Sequence, residues 1–159
     1  MPKKNSSDEQ SLISEITEAF KGVEFEGGIG LNEANAIDDY KDAQFREECR
    51  KIDEKQHWNV IPSSVLNQFN SSLSFFDPKG MKFHLPAFMI AEIKGEYRFG
   101  MSFALTNLSE YSRSQFVLLT EKQREVVKLF LEFLLEHPDY EFEKPAIKEA
   151  IEGYWSIEN

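Results

Sequence analysis

A single cysteine, Cys49, stands among 159 residues. No intrachain disulfide can therefore form, and a reducing cytoplasm is the expected compartment. Histidine is nearly as scarce, with only His57, His84 and His137 and no His-x-x-x-His or Cys-x-x-Cys spacing. A structural zinc site needs four convergent thiolate, imidazole or carboxylate ligands, so no metal and no cofactor is expected. The serine pairs at 6–7, 63–64 and 71–72 sit in no Gly-x-Ser-x-Gly elbow. The stretch GGIG lacks the Lys-Ser/Thr ending of a phosphate loop. Neighbouring carboxylates such as Asp38-Asp39 and Glu47-Glu48 project about 100° apart on a helix and are poorly placed to share a proton. No catalytic residue is expected. No apolar run approaches the roughly 20 residues that span a bilayer, and MPKKNSSDEQ lacks the apolar centre of a secretory signal.

Positive charge is also short. The chain carries 28 acids against 18 bases, a net charge of −10. Residues 1–7 hold +2, residues 8–54 hold −9, residues 55–130 hold +3 and residues 131–159 hold −6. Acidic flanks thus bracket a mildly basic middle. Such a field repels nucleic acid and anionic membranes and attracts a basic protein. What the chain has in quantity is phenylalanine, 14 residues, within a hydrophobic content of 41%. Large rings supply much of the buried area of a small domain, and this length suffices for one domain with a sizeable core. Residues 1–159 are expected to form a single domain, with 1–7 a flexible tail.

Helical periodicity is clear at both ends. Ser7 and Gln10 fit a capping box, and Leu12, Ile13, Ile16 and Phe20 form one stripe that Gly22 ends. VEFEGGIG reads as a loop or short strand. Asn32 is expected to cap a second helix, with Ala36, Ile37 and Tyr40 inward and Glu33, Asp38, Asp39 and Asp42 outward. Phe45, Cys49 and Ile52 then recur at i, i+4 and i+7, which makes Cys49 a small buried hydrophobe. Pro62 opens a short helix carrying Leu66 and Phe69. Thr120-Glu121-Lys122-Gln123 is a second capping box ahead of a wide apolar face from Val126 to Leu135, ended by Pro138. A last helix is expected from Pro145, with Trp155 as a core anchor.

The stretch LSFFDPKGMKFHLPAFMIAEI, residues 73–93, has two-residue alternation on both sides of Asp77-Pro78-Lys79-Gly80. Pro at the first loop position, Asp before it and Gly at a left-handed site suit a hairpin turn. Leu73, Phe75, Met81, Phe83 and Leu85 then share one face, and Pro86 starts a buried helix. SFALTN, from Ser102, reads as a third strand. The expected fold is α+β: predominantly helical, with an antiparallel hairpin or three-stranded sheet packed on helices.

GIGLNEANAIDDY, HWNVIP and FFDPKGMKFHLPAFM, with the amphipathic helix from Thr120, carry a resemblance to a family of uncharacterised, mostly bacterial proteins of about this length. The resemblance covers about Ile13 to Leu135 and implies no activity and no catalytic residue.

Two functions follow from the residues. The first is a cytoplasmic protein-binding module, most concretely an immunity or antitoxin-like protein that neutralises a basic toxin stoichiometrically, with Asp38, Asp39, Asp42, Glu47 and Glu48 as its partner-binding face. The alternative is a small-ligand binder or enzyme with a pocket near Trp58, Asp77 and His84.

Overall fold

Asp77 and Pro78 begin a helix rather than a turn. The computed structural model describes residues 6–156, and among them it contains nine α-helices and no strand. In chain order these are α1 (Ser6–Ala19), α2 (Leu31–Asp38), α3 (Ala43–Ile52), α4 (Ser63–Gln68), α5 (Pro78–Ile93), α6 (Ser102–Thr106), α7 (Glu110–Gln115), α8 (Glu121–Leu135) and α9 (Lys144–Ala150). Short 3₁₀ turns lie at Trp58–Val60, Asn70–Ser74 and Pro138–Tyr140, and α9 runs into a π-helical turn, Ile151–Trp155. The architecture is all-α, which overturns the expected α+β fold. The hairpin's first strand is instead the end of the 3₁₀ turn Asn70–Ser74 with the residues after it, its second strand is the N-terminal half of α5, and the third strand is helix α6. Residues 1–5 of the expected tail, and the side chain of Ser7 in the first capping box, lie outside the described residues.

The error has a physical cause. Asp-Pro-x-Gly is turn chemistry, but the same residues also suit a helix start. Asp77 Oδ1 accepts the Gly80 N–H at 2.8 Å as an N-cap, and Pro78 fills the first turn, where its missing N–H costs nothing. Eleven of the sixteen α5 residues are buried, so no polar face imposes a 3.6-residue period, and a two-residue alternation can be read into an almost uniformly apolar run. Pro86 lies inside α5 and deprives the Lys82 carbonyl of its usual helical donor.

Around α5 the core extends from Leu12 to Trp155 and includes Phe20, Phe76, Phe83, Phe88 and Phe130. Helix α1 packs on α8 and α5. The capping box expected at α8 is present: Thr120 Oγ1 accepts the Gln123 N–H at 3.1 Å, and Gln123 Oε1 accepts the Thr120 N–H at 2.9 Å. Gln123 Nε2 also donates to the Ala19 carbonyl and the Trp58 indole N–H donates to the Phe20 carbonyl. Two carbonyls at the end of α1 thereby gain donors from elsewhere in the chain, that of Phe20 in addition to the Val23 N–H. Trp155, buried as expected, donates its indole N–H to the Leu105 carbonyl at 2.9 Å and ties the C-terminal turn to α6.

The two most distinctive sequence stretches meet at the start of α5. Asp77 Oδ1 accepts a second N–H, that of Ile29, at 2.8 Å. Gly80 lies so close to this loop that a Cβ there would overlap the Ile29 carbonyl oxygen. Its glycine requirement is therefore one of close approach, not of the left-handed backbone a hairpin would have needed.

Candidate functional site

The loop bearing Ile29 leads directly into α2, whose first turn lacks a local side-chain cap. Its orphan N–H groups are satisfied from beyond α3. Asp53 accepts the backbone N–H of Asn32 at 2.6 Å and that of Glu33 at 3.2 Å, and also the Asn32 side-chain amide at 3.0 Å. Asn32, expected to be the cap, is thus itself held by a remote carboxylate. A Cβ on Gly30 would overlap that carboxylate. Burial pushes the Asp53 carboxyl up from its ordinary range, and the Asn32 and Glu33 hydrogen bonds pull it back.

One turn along, Glu33 has no exposed surface, contrary to the expectation that it faces outward. Its two oxygens accept a bidentate pair from Arg50, Nε at 3.0 Å and a terminal nitrogen at 2.6 Å, with Arg46 at 3.5 Å. Fork-to-fork geometry is the strongest form of such a pair. Arg46 and Arg50 lie four residues apart on one face of α3, so α3 turns its guanidinium face toward α2.

The helix is consequently inverted. None of its ten residues is buried, and α3 packs chiefly on α2. The stripe that periodicity places inside lies on its flank, with Phe45 48% and Ile52 72% exposed. Tyr40, also expected inward, is 96% exposed at a residue with φ of 58°. Cys49 is half-buried, and its thiol is pushed up by burial and then by Asp53, Glu33 and Glu48. A raised thiol is a poor nucleophile at neutral pH.

The five acids assigned to a partner-binding face all lie on this α2–α3 arm, in different states. Asp42 caps α3 by accepting the Phe45 N–H at 2.8 Å. Glu47 is 3.6 Å from Arg50 and Glu48 is 3.2 Å from Lys51, both pairs at the surface. Asp39 is exposed and accepts the Asn35 amide at 3.5 Å, and Asp38 is half-buried.

The structure does not gather Trp58, Asp77 and His84 into one pocket. Asp77 caps the N-terminus of α5, whereas Trp58 lines a cleft with Ala87 and Ala91 near its other end, about 20 Å further along the helix. His84 lies between them with no exposed surface. Its ring stacks on Phe76 at 4.5 Å, Phe25 and Phe83 meet it edgewise, and Nδ1 bonds to the Gly80 carbonyl at 2.7 Å. That carbonyl fixes the proton on Nδ1 and leaves Nε2 a bare acceptor, buried and without a partner among the described residues. Burial drives the ring down to about 4, outweighing the Gly80 hydrogen bond and Asp77. Among the described residues no group of three or more His, Cys, Asp or Glu side chains could hold a metal, and no helix is long and apolar enough to cross a membrane.

Sequence reasoning missed Glu33, Arg50 and Asp53, whose partners lie 17 to 21 residues away. It also missed Glu92 at the end of α5, which burial raises to about 7 although it accepts the Met101 N–H at 2.6 Å. The signal available for α3 was its pair of arginines four apart beside an apolar stripe too narrow to bury.

These features define an all-α domain whose distinctive surface is an ion-paired helical arm. The chain belongs to DUF6714, a family of unknown function whose family model matches residues 8–159. No curated protein and no solved structure matches it.

Proposed function

We propose that this protein is a protein-binding module that engages a basic partner through the α2–α3 arm. The observation that carries the reading is the inversion of α3. A helix that turns its arginines to a buried glutamate and leaves Ile52 largely and Phe45 half in water forgoes a good part of burial worth about 1.5–3 kcal/mol for each side chain when complete. Exposed rings and branched chains grouped on one element are the ordinary mark of an interaction surface. Their acidic surroundings select the partner. Asp38, Asp39, Glu47 and Glu48 disfavour a second copy of this acidic chain and steer a basic protein onto the apolar stripe. The most concrete form of such a module is an immunity or antitoxin-like protein, acting by stoichiometric neutralisation in the cytoplasm.

The test is capture from the native host on immobilised full-length protein, identification of the captured protein, and affinity measurement with both components purified. A basic protein bound one to one is expected, with affinity that falls as salt rises. Phe45→Asp and Ile52→Asp should each weaken it about tenfold or more without loss of helicity. Charge reversal at Asp38, Asp39, Glu47 and Glu48 should mainly slow association, and Asp42 is left intact because it caps α3. Wild-type affinity in both apolar variants refutes the reading. A dimer in sedimentation that is broken by Ile52→Asp refutes it equally, by assigning the surface to self-association.

A further inference from the structure

We propose that the groove between the Asn70–Ser74 turn, the Tyr97–Gly100 segment, α6 and α7 is a binding site for a neutral saccharide. It has a volume of about 470 Å³, within the usual range of small-molecule sites. Its composition sets it apart from the rest of the surface. None of the residues that line it is Asp, Glu, Lys, Arg or His, in a chain whose charged content is 29%. A phosphate, a nucleotide or a carboxylate would find no countercharge there.

Two further features narrow the ligand. The first is aromatic. Phe99, Phe103 and Tyr111 are all exposed on this groove, Phe103 to 72%, and Tyr97 lies beside Phe99 at 6.0 Å between ring centres. Rings held open to solvent present flat apolar faces, and the C–H face of a pyranose is the flat apolar surface of an otherwise polar molecule.

The second feature is the hydrogen-bond inventory. Gln115 is only 5% exposed, and its Nε2 is committed to the Leu73 and Phe76 carbonyls at 3.1 and 2.9 Å. These bonds fix the orientation of the amide, and no described residue donates to Oε1. Asn70 is similar: its Nδ2 donates to the Asn67 carbonyl, and Oδ1 has no donor among the described residues. Tyr111 has spent its proton on the Ser74 carbonyl and can now only accept. Asn107, on the rim, has both amide atoms free among the described residues. The hydroxyls of Ser71, Ser74 and Tyr97 also line the groove and can both donate and accept, so it presents fixed acceptors beside groups of either kind. A lipid tail supplies no donor, and a proline-rich peptide, the usual client of an aromatic groove, brings few N–H groups for the fixed acceptors on Gln115, Asn70 and Tyr111. Sugar hydroxyls donate and accept from the same atom. A polyol with an apolar face matches both the open rings and this mixed set of donors and acceptors.

The experiment is an amide chemical-shift titration of the full-length, isotope-labelled protein with maltotriose, cellotriose and chitotriose, each to about 20 mM, with a proline-rich decapeptide as comparator. At least one trisaccharide should give saturable shifts confined to residues 70–74, 97–107 and 109–115. Phe103→Ala and Asn107→Ala should each weaken that binding about tenfold, whereas Phe103→Tyr should retain it. Phe45→Asp in α3 should leave it unchanged, which separates this site from the protein-binding arm. Absence of shifts with all three sugars overturns the proposal. Shifts with the peptide alone, or sugar binding that survives Phe103→Ala and Asn107→Ala together, overturn it as well.

Discussion

The buried His84 and the half-buried Glu92 titrate with opposite effects on stability, and the consequence is measurable. His84 stays neutral in the folded protein down to about pH 4, whereas in the unfolded chain it takes up a proton near 6.5. Below 6.5 the unfolded state therefore binds more protons, and stability falls on acidification through the interval to about 4. At about 1.4 kcal/mol per pH unit the whole interval amounts to about 3 kcal/mol. Glu92 has the opposite sign. Its carboxyl stays protonated in the fold up to about 7 but ionises near 4.5 when unfolded. The folded state holds the extra proton, so stability falls as pH rises from 4.5 to 7, again by about 3 kcal/mol at most. Between pH 4.5 and 6.5 the two slopes cancel. Glu92→Gln keeps an acceptor for the Met101 N–H but cannot ionise. Its stability relative to wild type should climb steadily from pH 4.5 and level off above 7. His84→Phe keeps a ring against Phe76 and should gain on wild type as pH falls below 6.5. Urea unfolding of the three proteins at half-unit steps from pH 4 to 8 measures both differences. A Glu92→Gln curve parallel to wild type across that range would refute the assignment of Glu92, and a parallel His84→Phe curve that of His84.

Gly80→Ala drives a methyl group into the Ile29 carbonyl and should cost about 2–4 kcal/mol by urea midpoint, whereas Gly153→Ala, with open space around it, should cost less than about 0.5 kcal/mol. Arg50→Met leaves Glu33 buried beside Arg46 alone and should destabilise by about 2–3 kcal/mol; adding Glu33→Met should recover part of that loss, which double-mutant stability measurements would show. Cys49 should react with iodoacetamide at pH 7.5 more slowly than free cysteine, since burial and three nearby carboxylates disfavour its thiolate. Faster alkylation than the free amino acid would contradict that environment.

What the sequence made legible depended on where each element's polar residues fall. Helix α8 announced itself because Thr120 and Gln123 cap it and its outer face is charged. The Trp155 anchor followed from its place after an apolar helix. Helix α5 defeated pattern reading because burial on nearly all sides erases periodicity, and Asp-Pro at its start is shared by turns and helices alike. Two helices are present where the sequence led one to expect them, at α2 and α3, but the face of α3 that meets the rest of the chain is the opposite of the one periodicity indicates. Periodicity identifies an apolar stripe without saying whether anything covers it, and the pairing of Glu33 with Arg50 is a tertiary contact with no local signature. The Asp77–Ile29 bond, 48 residues apart in the chain, is illegible for the same reason.

The detachment of α3 from the hydrophobic interior bears on how such a chain can change over generations. Arg46 and Arg50 anchor the helix, while Ile52 is 72% exposed and Phe45, under the Lys41 ammonium, about half exposed. Replacements at the latter two positions escape the volume constraints that govern core residues, where each added or lost methylene is felt. Ile52 can become charged, polar or aromatic at a stability cost within about 0.5 kcal/mol. Such a chain can therefore keep its glycine-and-carboxylate scaffold intact while this surface changes one exposed residue at a time.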